Sequence, residues 1–296
     1  MKQVSVIGSG TMGNGIAHVF AQNEFSVTLI DISQSALEKA MLSIKKNLER
    51  QVSKLQISPE TQIATLARIV TTSDVKAGVA NADLVVEAAS ENLEIKLGIF
   101  RTLSESAPSD CILASNTSSI SITQIAAATN RPDKVIGMHF MNPVPVMKLV
   151  EIIRGYSTTD KVCKAVFETS LKLDKIPVEV NDYPGFISNR ILMPMINEAI
   201  ESLYEGIAGV SEIDQVMKLG MAHPMGPLQL ADFIGLDVCL SVLRVLHDGF
   251  GRPKYSPCPL LVNMVRSGNL GVKSGQGFYT YTPGSKELIV SDKFKK

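Results

Sequence analysis

Val4-Ser5-Val6-Ile7-Gly8-Ser9-Gly10-Thr11-Met12-Gly13 is the stretch on which the fold turns. A β-branched run enters a G-x-G-x-x-G pattern, and helix-period residues Asn14–Gln22 follow. A second apolar run, Val27–Ile30, ends at Asp31, which is 18 residues beyond Gly13. Strand, glycine turn, helix, strand and terminal acid, in that order, are the context of a dinucleotide-binding unit. The glycines permit a tight turn and let the backbone approach a pyrophosphate, which then sits on the helix N-terminus. Gly8, Ser9, Gly10, Thr11, Met12, Gly13 and Asp31 are therefore the candidate cofactor-binding residues. Asp31 would accept bonds from ribose hydroxyls and repel a 2′-phosphate, favouring NAD over NADP. FAD shares the pattern, and a plain strand–turn–helix with Asp31 as an N-cap is the bland alternative.

Working outward, short apolar runs alternate with helical patterns as far as residue 183. The runs are Val4–Ile7, Val27–Ile30, Leu84–Val86, Cys111–Ala114, Val135–Met138, Leu149–Ile153 and Ile176–Val180. Helix-period residues fill Ser33–Leu55, Asn92–Leu103 and Lys161–Leu173. This alternation predicts an α/β unit, a mostly parallel sheet with helices on both faces. From Pro184 onward the strand signal fades. Ile187, Ile191, Leu192, Ile196, Ala199, Ile200 and Leu203 recur at helical spacing, and Ser211-Glu212-Ile213-Asp214 reads as a capping box opening a helix that Gly220 ends. The expected organisation is a Rossmann-type domain, 1–183, followed by an all-helical domain, 184–296. Asn181-Asp182-Tyr183-Pro184-Gly185 is the expected hinge.

Composition narrows the function classes. The 296 residues carry 29 basic and 29 acidic side chains and no block of one sign. That argues against a nucleic-acid partner or an anionic membrane surface. Trp is absent and aromatic residues are 5%, so a base-stacking platform is not expected. Cys111, Cys163, Cys239 and Cys258 form no C-x-x-C pair, which points to free thiols in a reducing compartment and to no zinc site. No targeting segment is read at the N-terminus, and no apolar run is long enough to span a bilayer. A soluble cytoplasmic protein is expected.

Two further patterns carry chemistry. In Lys148-Leu149-Val150-Glu151-Ile152-Ile153, alternation puts Glu151 on one face with Leu149 and Ile153, where an unpartnered carboxylate is costly. His139 ends the preceding strand. If the two segments are neighbours, Glu151 bonds one imidazole nitrogen and fixes the tautomer, leaving the other for proton transfer. A structural His beside an edge Glu fits the spacing equally well. Ser115-Asn116-Thr117-Ser118-Ser119 follows a strand, where open α/β sheets bind ligands; helix capping explains one of its hydroxyls as readily. Lys46, Arg50 and Lys54 fall at i, i+4 and i+8 on one helix and make a basic stripe. Such a stripe is more often solvated surface than a polyanion site.

Taken together these stretches resemble the short-chain L-3-hydroxyacyl-CoA dehydrogenase family, and within it the bacterial 3-hydroxybutyryl-CoA dehydrogenase branch. The resemblance spans essentially the whole chain. It is carried by the glycine turn, Leu84-Val85-Val86-Glu87-Ala88, Ala114 to Ser119, the block from His139 to Glu151, Pro184-Gly185-Phe186-Ile187-Ser188-Asn189-Arg190, His223-Pro224-Met225-Gly226-Pro227 and Gly275-Gln276-Gly277-Phe278-Tyr279. Met141 departs from the family's Phe and exchanges one apolar side chain for another.

The resemblance implies NAD as cofactor and a 3-hydroxyacyl-CoA as substrate, while a homodimer through the helical domain is expected from the residues themselves. By the resemblance, His139 is the general acid/base, Glu151 orients and charges it, and Ser118 and Asn189 contact the substrate. Asn116 and Asn142 support the nicotinamide site, with Ser118 beside it. Glu91, Lys96 and Lys273 match cofactor-contacting positions, and Arg50 and Lys54 match positions facing CoA. Ile191-Leu192-Met193-Pro194-Met195-Ile196, apolar all round its helix and kinked at Pro194, is the expected dimer segment. Two alternatives stand beside this reading. A small β-hydroxyacid dehydrogenase would place a catalytic Lys after the nucleotide domain, yet Ile176 to Met217 contains no Lys. A non-catalytic NAD-binding structural protein would have no need of His139, Glu151, Ser118 and Asn189 together.

Overall fold

The computed structural model describes residues 1–285 and 287–295; Lys286, and Lys296 at the end of the expected helical domain, lie outside the description. The chain forms two compact units, Met1–Tyr183 and Pro184–Lys296.

The first unit is an eight-stranded sheet flanked by helices. In chain order it comprises β1 (Gln3–Ile7), α1 (Thr11–Gln22), β2 (Ser26–Ile30), α2 (Gln34–Ser53), α3 (Pro59–Ala67), β3 (Ile69–Thr72), α4 (Val75–Val79) and β4 (Leu84–Glu87). There follow α5 (Leu93–Ser106), β5 (Ile112–Ser115), α6 (Ile122–Ala127), β6 (Val135–Phe140), β7 (Leu149–Arg154), α7 (Asp160–Lys172) and β8 (Ile176–Asn181). The strand order is β3-β2-β1-β4-β5-β6-β7-β8. All neighbours are parallel except β6 and β7, which run antiparallel. The chain leaves β1 to one side for β2 and β3, then returns to its other side with β4. In open sheets of this kind the crevice at such a reversal, beyond the carboxyl ends of the strands, is the ligand site.

The reasons for these elements are local. Val4, Val6, Leu84 and Val86 are fully or almost fully buried and belong to one core with Ile16, Phe20, Leu29 and Ile136. Strands covered on both faces read as continuous apolar runs, as these do. Ser33 caps α2 by accepting from the Ala36 N–H at 3.3 Å, and Asn92 caps α5 by accepting from Ile95 N–H at 3.1 Å. The strand β3 was not among the sequence expectations. It has four residues and lies at the sheet edge with one buried position, Ile69, too little for a periodicity signal.

The second unit contains α8 (Ser188–Tyr204), α9 (Val210–Gly220), α10 (Pro227–Ile234), α11 (Leu236–Phe250) and α12 (Pro259–Arg266). It is helical apart from a two-stranded ribbon, β9 (Tyr279–Thr280) with β10 (Ile289–Val290). Its core gathers Met193, Ile196, Leu228, Leu243, Leu261 and Phe278. The expected capping box at Ser211 does not form: α9 starts at Val210 with Gly209 as N-cap and no side-chain cap. Asp214 is used at longer range instead, accepting from the Leu228 and Gln229 N–H groups at the start of α10 and from the Tyr279 hydroxyl. The expected hinge is also partly fixed. Asn181 belongs to β8, and Asp182 accepts from the Ser121 hydroxyl and from the Ile122 and Thr123 N–H groups of α6.

Candidate active site

The glycine turn joins β1 to α1, and its three glycines are there for different reasons. Gly8 has φ +91°, and a Cβ on it would lie 2.6 Å from the Ala88 carbonyl oxygen. A Cβ on Gly13 would lie 1.7 Å from the Gly8 oxygen, so the helix packs on the turn only without a side chain there. A Cβ on Gly10 would meet nothing within 4 Å. Gly10 is the N-cap of α1, and no side chain caps that helix. Open space beside uncapped main-chain N–H groups is what a pyrophosphate needs. Asp31, just past β2, ties this turn down: its Oδ2 accepts from both the N–H and the hydroxyl of Ser9, each at 2.8 Å. Its Oδ1 accepts from the Ser33 N–H at 3.0 Å. Partial burial alone would raise its pKa, but these bonds from Ser33 and Ser9 hold the carboxyl below its usual value. An ionised acceptor therefore stands one strand from the turn, and these residues fit a dinucleotide.

The ends of β4 and β5 hold a connected polar group. Glu87, the last residue of β4, is fully buried and accepts from Lys96 Nζ at 2.7 Å and from the Ser115 hydroxyl at 2.6 Å. Lys96, 1% exposed, also lies 3.4 Å from Glu91 Oε2. Glu91 Oε1 accepts from the Thr117 hydroxyl at 2.7 Å and from the Ser118 N–H at 2.9 Å. The Ser118 and Ser119 hydroxyls approach the same oxygen at 3.2 and 3.3 Å. Burial works to raise the Glu91 pKa, but the Lys96 charge and these donors bring it below the ordinary value. Asn116 turns the other way and accepts from the Phe140 N–H at 2.9 Å, tying β5 to the strand that carries His139.

His139 and Glu151 meet across the antiparallel pair. The register sets Gly137 opposite Ile153 and His139 opposite Glu151. A Cβ on Gly137 would lie 2.6 Å from the Ile153 Cβ, so glycine is what lets this register close. His139 Nδ1 lies 2.8 Å from Glu151 Oε2, and both residues are buried. Because β7 runs against its neighbour, Glu151, near the start of β7, comes level with His139, near the end of β6. In the tautomer with its proton on Nδ1, His139 donates to the Glu151 carboxylate.

The other expected residues are placed as follows. Arg50 is exposed in the last turn of α2 and Lys54 is its C-cap, with Lys46 exposed one turn earlier than Arg50. Asn142 follows β6 in the connection to β7. In the second unit, Asn189 lies in the first turn of α8, and Lys273 pairs with Asp237 at 2.5 Å. Within the apolar hexapeptide Met193 and Ile196 are buried in the unit's own core, while Ile191 is 67% exposed. Glu87 belongs to the quoted stretch Leu84–Ala88, with no role expected from the sequence. Its signal is a carboxylate in an otherwise apolar strand, as it is for Glu151. Among the described residues no group of three metal-ligating side chains occurs, and no helix is long and apolar enough to cross a membrane.

A dinucleotide cradle at the sheet reversal, with a His–Glu pair at the same edge, fits a dinucleotide-dependent oxidoreductase. The family model for the 3-hydroxyacyl-CoA dehydrogenase NAD-binding domain matches residues 3–183, and that for the C-terminal domain matches residues 185–281. The chain belongs to the 3-hydroxyacyl-CoA dehydrogenase family, with NAD as its cofactor. It is 53% identical to the probable 3-hydroxybutyryl-CoA dehydrogenase of Bacillus subtilis, over 95% of this chain and 98% of that one. It is 48% identical to the 3-hydroxybutyryl-CoA dehydrogenase of Clostridioides difficile, over 94% of this chain and 99% of the relative. The crystal structure of (S)-3-hydroxybutyryl-CoA dehydrogenase from Ralstonia eutropha superposes with a TM-score of 0.92 at 47% identity, covering 95% of this chain and 99% of that one.

Proposed function

We propose that the chain catalyses the reversible NAD-dependent oxidation of (S)-3-hydroxyacyl-CoA to 3-oxoacyl-CoA, with 3-hydroxybutyryl-CoA and acetoacetyl-CoA as the working pair. The observation that carries this reading is the His139–Glu151 bond of 2.8 Å beside an intact dinucleotide cradle. His139 Nε2 takes the proton of the 3-hydroxyl during oxidation and returns it during reduction. Glu151 holds the ring by Nδ1 and stabilises the imidazolium that forms. Ser118 and Asn189 bond the substrate oxygen. Bound NAD supplies the two-electron acceptor for the C3–H bond. Gly8, Ser9, Gly10, Thr11, Met12 and Gly13 bind its pyrophosphate, Asp31 the adenosine ribose, and Asn116 and Asn142 support the nicotinamide end. Glu91 and Lys273 contact the cofactor, and Lys96, buried as it is, acts through Glu91. Arg50 and Lys54 attract the CoA phosphates.

The same reading places the protein in the cytoplasm, which suits its four buried, unpaired cysteines. It also takes residues 184–296 as the substrate and dimerisation domain. Ile187, Ile191, Leu219 and Met221 are at least half exposed there, apolar side chains that a second copy would cover. Oxidation of NADH by acetoacetyl-CoA, followed by absorbance, tests the reaction. Activity on small hydroxy acids without CoA, or on neither substrate, would overturn it. Light scattering at micromolar concentration tests the dimer, and a monomer there would refute it.

A further inference from the structure

We infer that Glu87 is a positioning residue for this reaction, anchoring by both of its carboxylate oxygens the turn that carries Ser118. The inference rests on the proposed contact of Ser118 with the substrate oxygen.

Glu87 pairs with Ser115 in the register of β4 and β5, so its side chain leaves the sheet beside the start of that turn. Two routes then run to the same place. By the first, Oε1 accepts from Lys96 Nζ at 2.7 Å and from the Ala89 N–H at 2.7 Å. Lys96 reaches on to Glu91, whose Oε1 gathers the Thr117 hydroxyl and the Ser118 N–H at 2.7 and 2.9 Å. By the second, Oε2 accepts from the Ser115 hydroxyl at 2.6 Å, and that same oxygen accepts from the Thr117 N–H at 3.2 Å. The main chain adds a third tie, from the Asn116 N–H to the Glu87 carbonyl at 2.7 Å.

The order of the distances has a meaning. Glu91 Oε1 faces four donors, and the Ser118 and Ser119 hydroxyls are the two most distant, at 3.2 and 3.3 Å. A single carboxylate oxygen satisfies two or three donors well, not four. Glu91 therefore holds the Ser118 backbone, at 2.9 Å, more closely than it holds the Ser118 hydroxyl. Removing the Glu87 charge leaves the buried Lys96 ammonium with Glu91 as its carboxylate partner and the Ala89 carbonyl at 3.5 Å, and it would draw Glu91 inward. The Ser118 hydroxyl then starts from the wrong place, and an error of about 1 Å at a reacting group costs roughly 100-fold in rate. A residue that only keeps Lys96 satisfied would have one route to the turn. The second, through Ser115, serves Thr117 and not Lys96.

The test is a double-mutant cycle on acetoacetyl-CoA reduction, with NADH binding measured for each variant as a check of the fold. Glu87→Gln keeps the size but removes the charge, and should lower kcat roughly 10- to 100-fold. In the Ser118→Ala background the same change should cost under about threefold, because it then has no hydroxyl left to place. The full loss persisting in Ser118→Ala, or no loss in Glu87→Gln, overturns the inference. Wild-type activity in Ser118→Ala alone overturns the substrate contact, and the inference falls with it. If Glu87→Gln does not bind NADH, Ser115→Ala cuts only the second route. Its smaller loss must likewise disappear in Ser118→Ala, and a loss that simply multiplies overturns the inference.

Discussion

Glu151 stands opposite His139 across the β6–β7 pair, with Oε2 2.8 Å from Nδ1. If Glu151 acts only through His139, the two residues are one unit and their mutations do not multiply. His139→Gln should lower kcat roughly 10²–10⁴-fold, the span of general acid–base catalysis. Glu151→Gln should cost a similar or smaller factor, and the double variant should match His139→Gln. NADH binding should hardly change in any of them. Acetoacetyl-CoA reduction with parallel NADH titrations measures this, and multiplying losses would break the assignment of the dyad.

The glycine turn predicts a split between folding and binding. A Cβ on Gly13 would be 1.7 Å from the Gly8 oxygen, while one on Gly10 would meet nothing within 4 Å. Gly13→Ala should therefore yield little folded protein. Gly10→Ala should fold with a near wild-type Tm yet bind NADH at least about tenfold more weakly, about 1.4 kcal/mol. Thermal unfolding beside fluorescence titration with NADH separates the two. Unchanged NADH affinity in Gly10→Ala would remove the pyrophosphate from that space.

How far the sequence carries depends on how far apart the partners lie. The Gly8–Gly13 turn and Asp31 were legible because the motif is contiguous and the strands around it are apolar on both faces. His139 and Glu151 were legible as a pair because few residues separate their strands, and such segments are usually neighbours in a sheet. Glu87 was not, since Ser115 is 28 residues away on β5 and no local pattern marks Lys96, on helix α5, as its partner. The misread box at Ser211 has the same origin. Asp214 looked like a local cap, but it serves Leu228 and Tyr279, 14 and 65 residues on.

Asp31 makes the coenzyme preference testable. Its carboxylate is held ionised by Ser33 and Ser9, so in the proposed site it would repel a 2′-phosphate as well as accept from a ribose hydroxyl. Asp31→Ala removes both effects. A hydrogen bond to a charged group contributes about 1.5–3 kcal/mol, so the preference for NADH over NADPH should fall at least about tenfold. Comparing kcat/KM for the two coenzymes measures it. Equal use of both by the wild type would refute the role of Asp31.

Asp232 gives the stability a pH dependence of definite sign. It is fully buried and accepts from the Phe278 and Tyr279 N–H groups at 3.0 and 2.9 Å and from the Tyr281 hydroxyl at 3.1 Å. Burial outweighs these bonds, and with the nearby Asp214 charge it pushes the carboxyl up from 3.8 to about 6. The folded state thus holds a proton that the unfolded state has released between those two values. Stability from this group is present at low pH and is lost as the pH rises through about 6. The full rise corresponds to about 3 kcal/mol, of which about 1 kcal/mol is recovered on acidification from pH 7.5 to pH 5. Asp214, also raised by burial, pulls the same way. Asp232→Asn cannot titrate, so the wild type should gain Tm relative to this variant on going from pH 7.5 to pH 5. Scanning calorimetry at both pH values gives the difference, and a relative gain toward alkaline pH would mean that the three hydrogen bonds, not burial, govern Asp232.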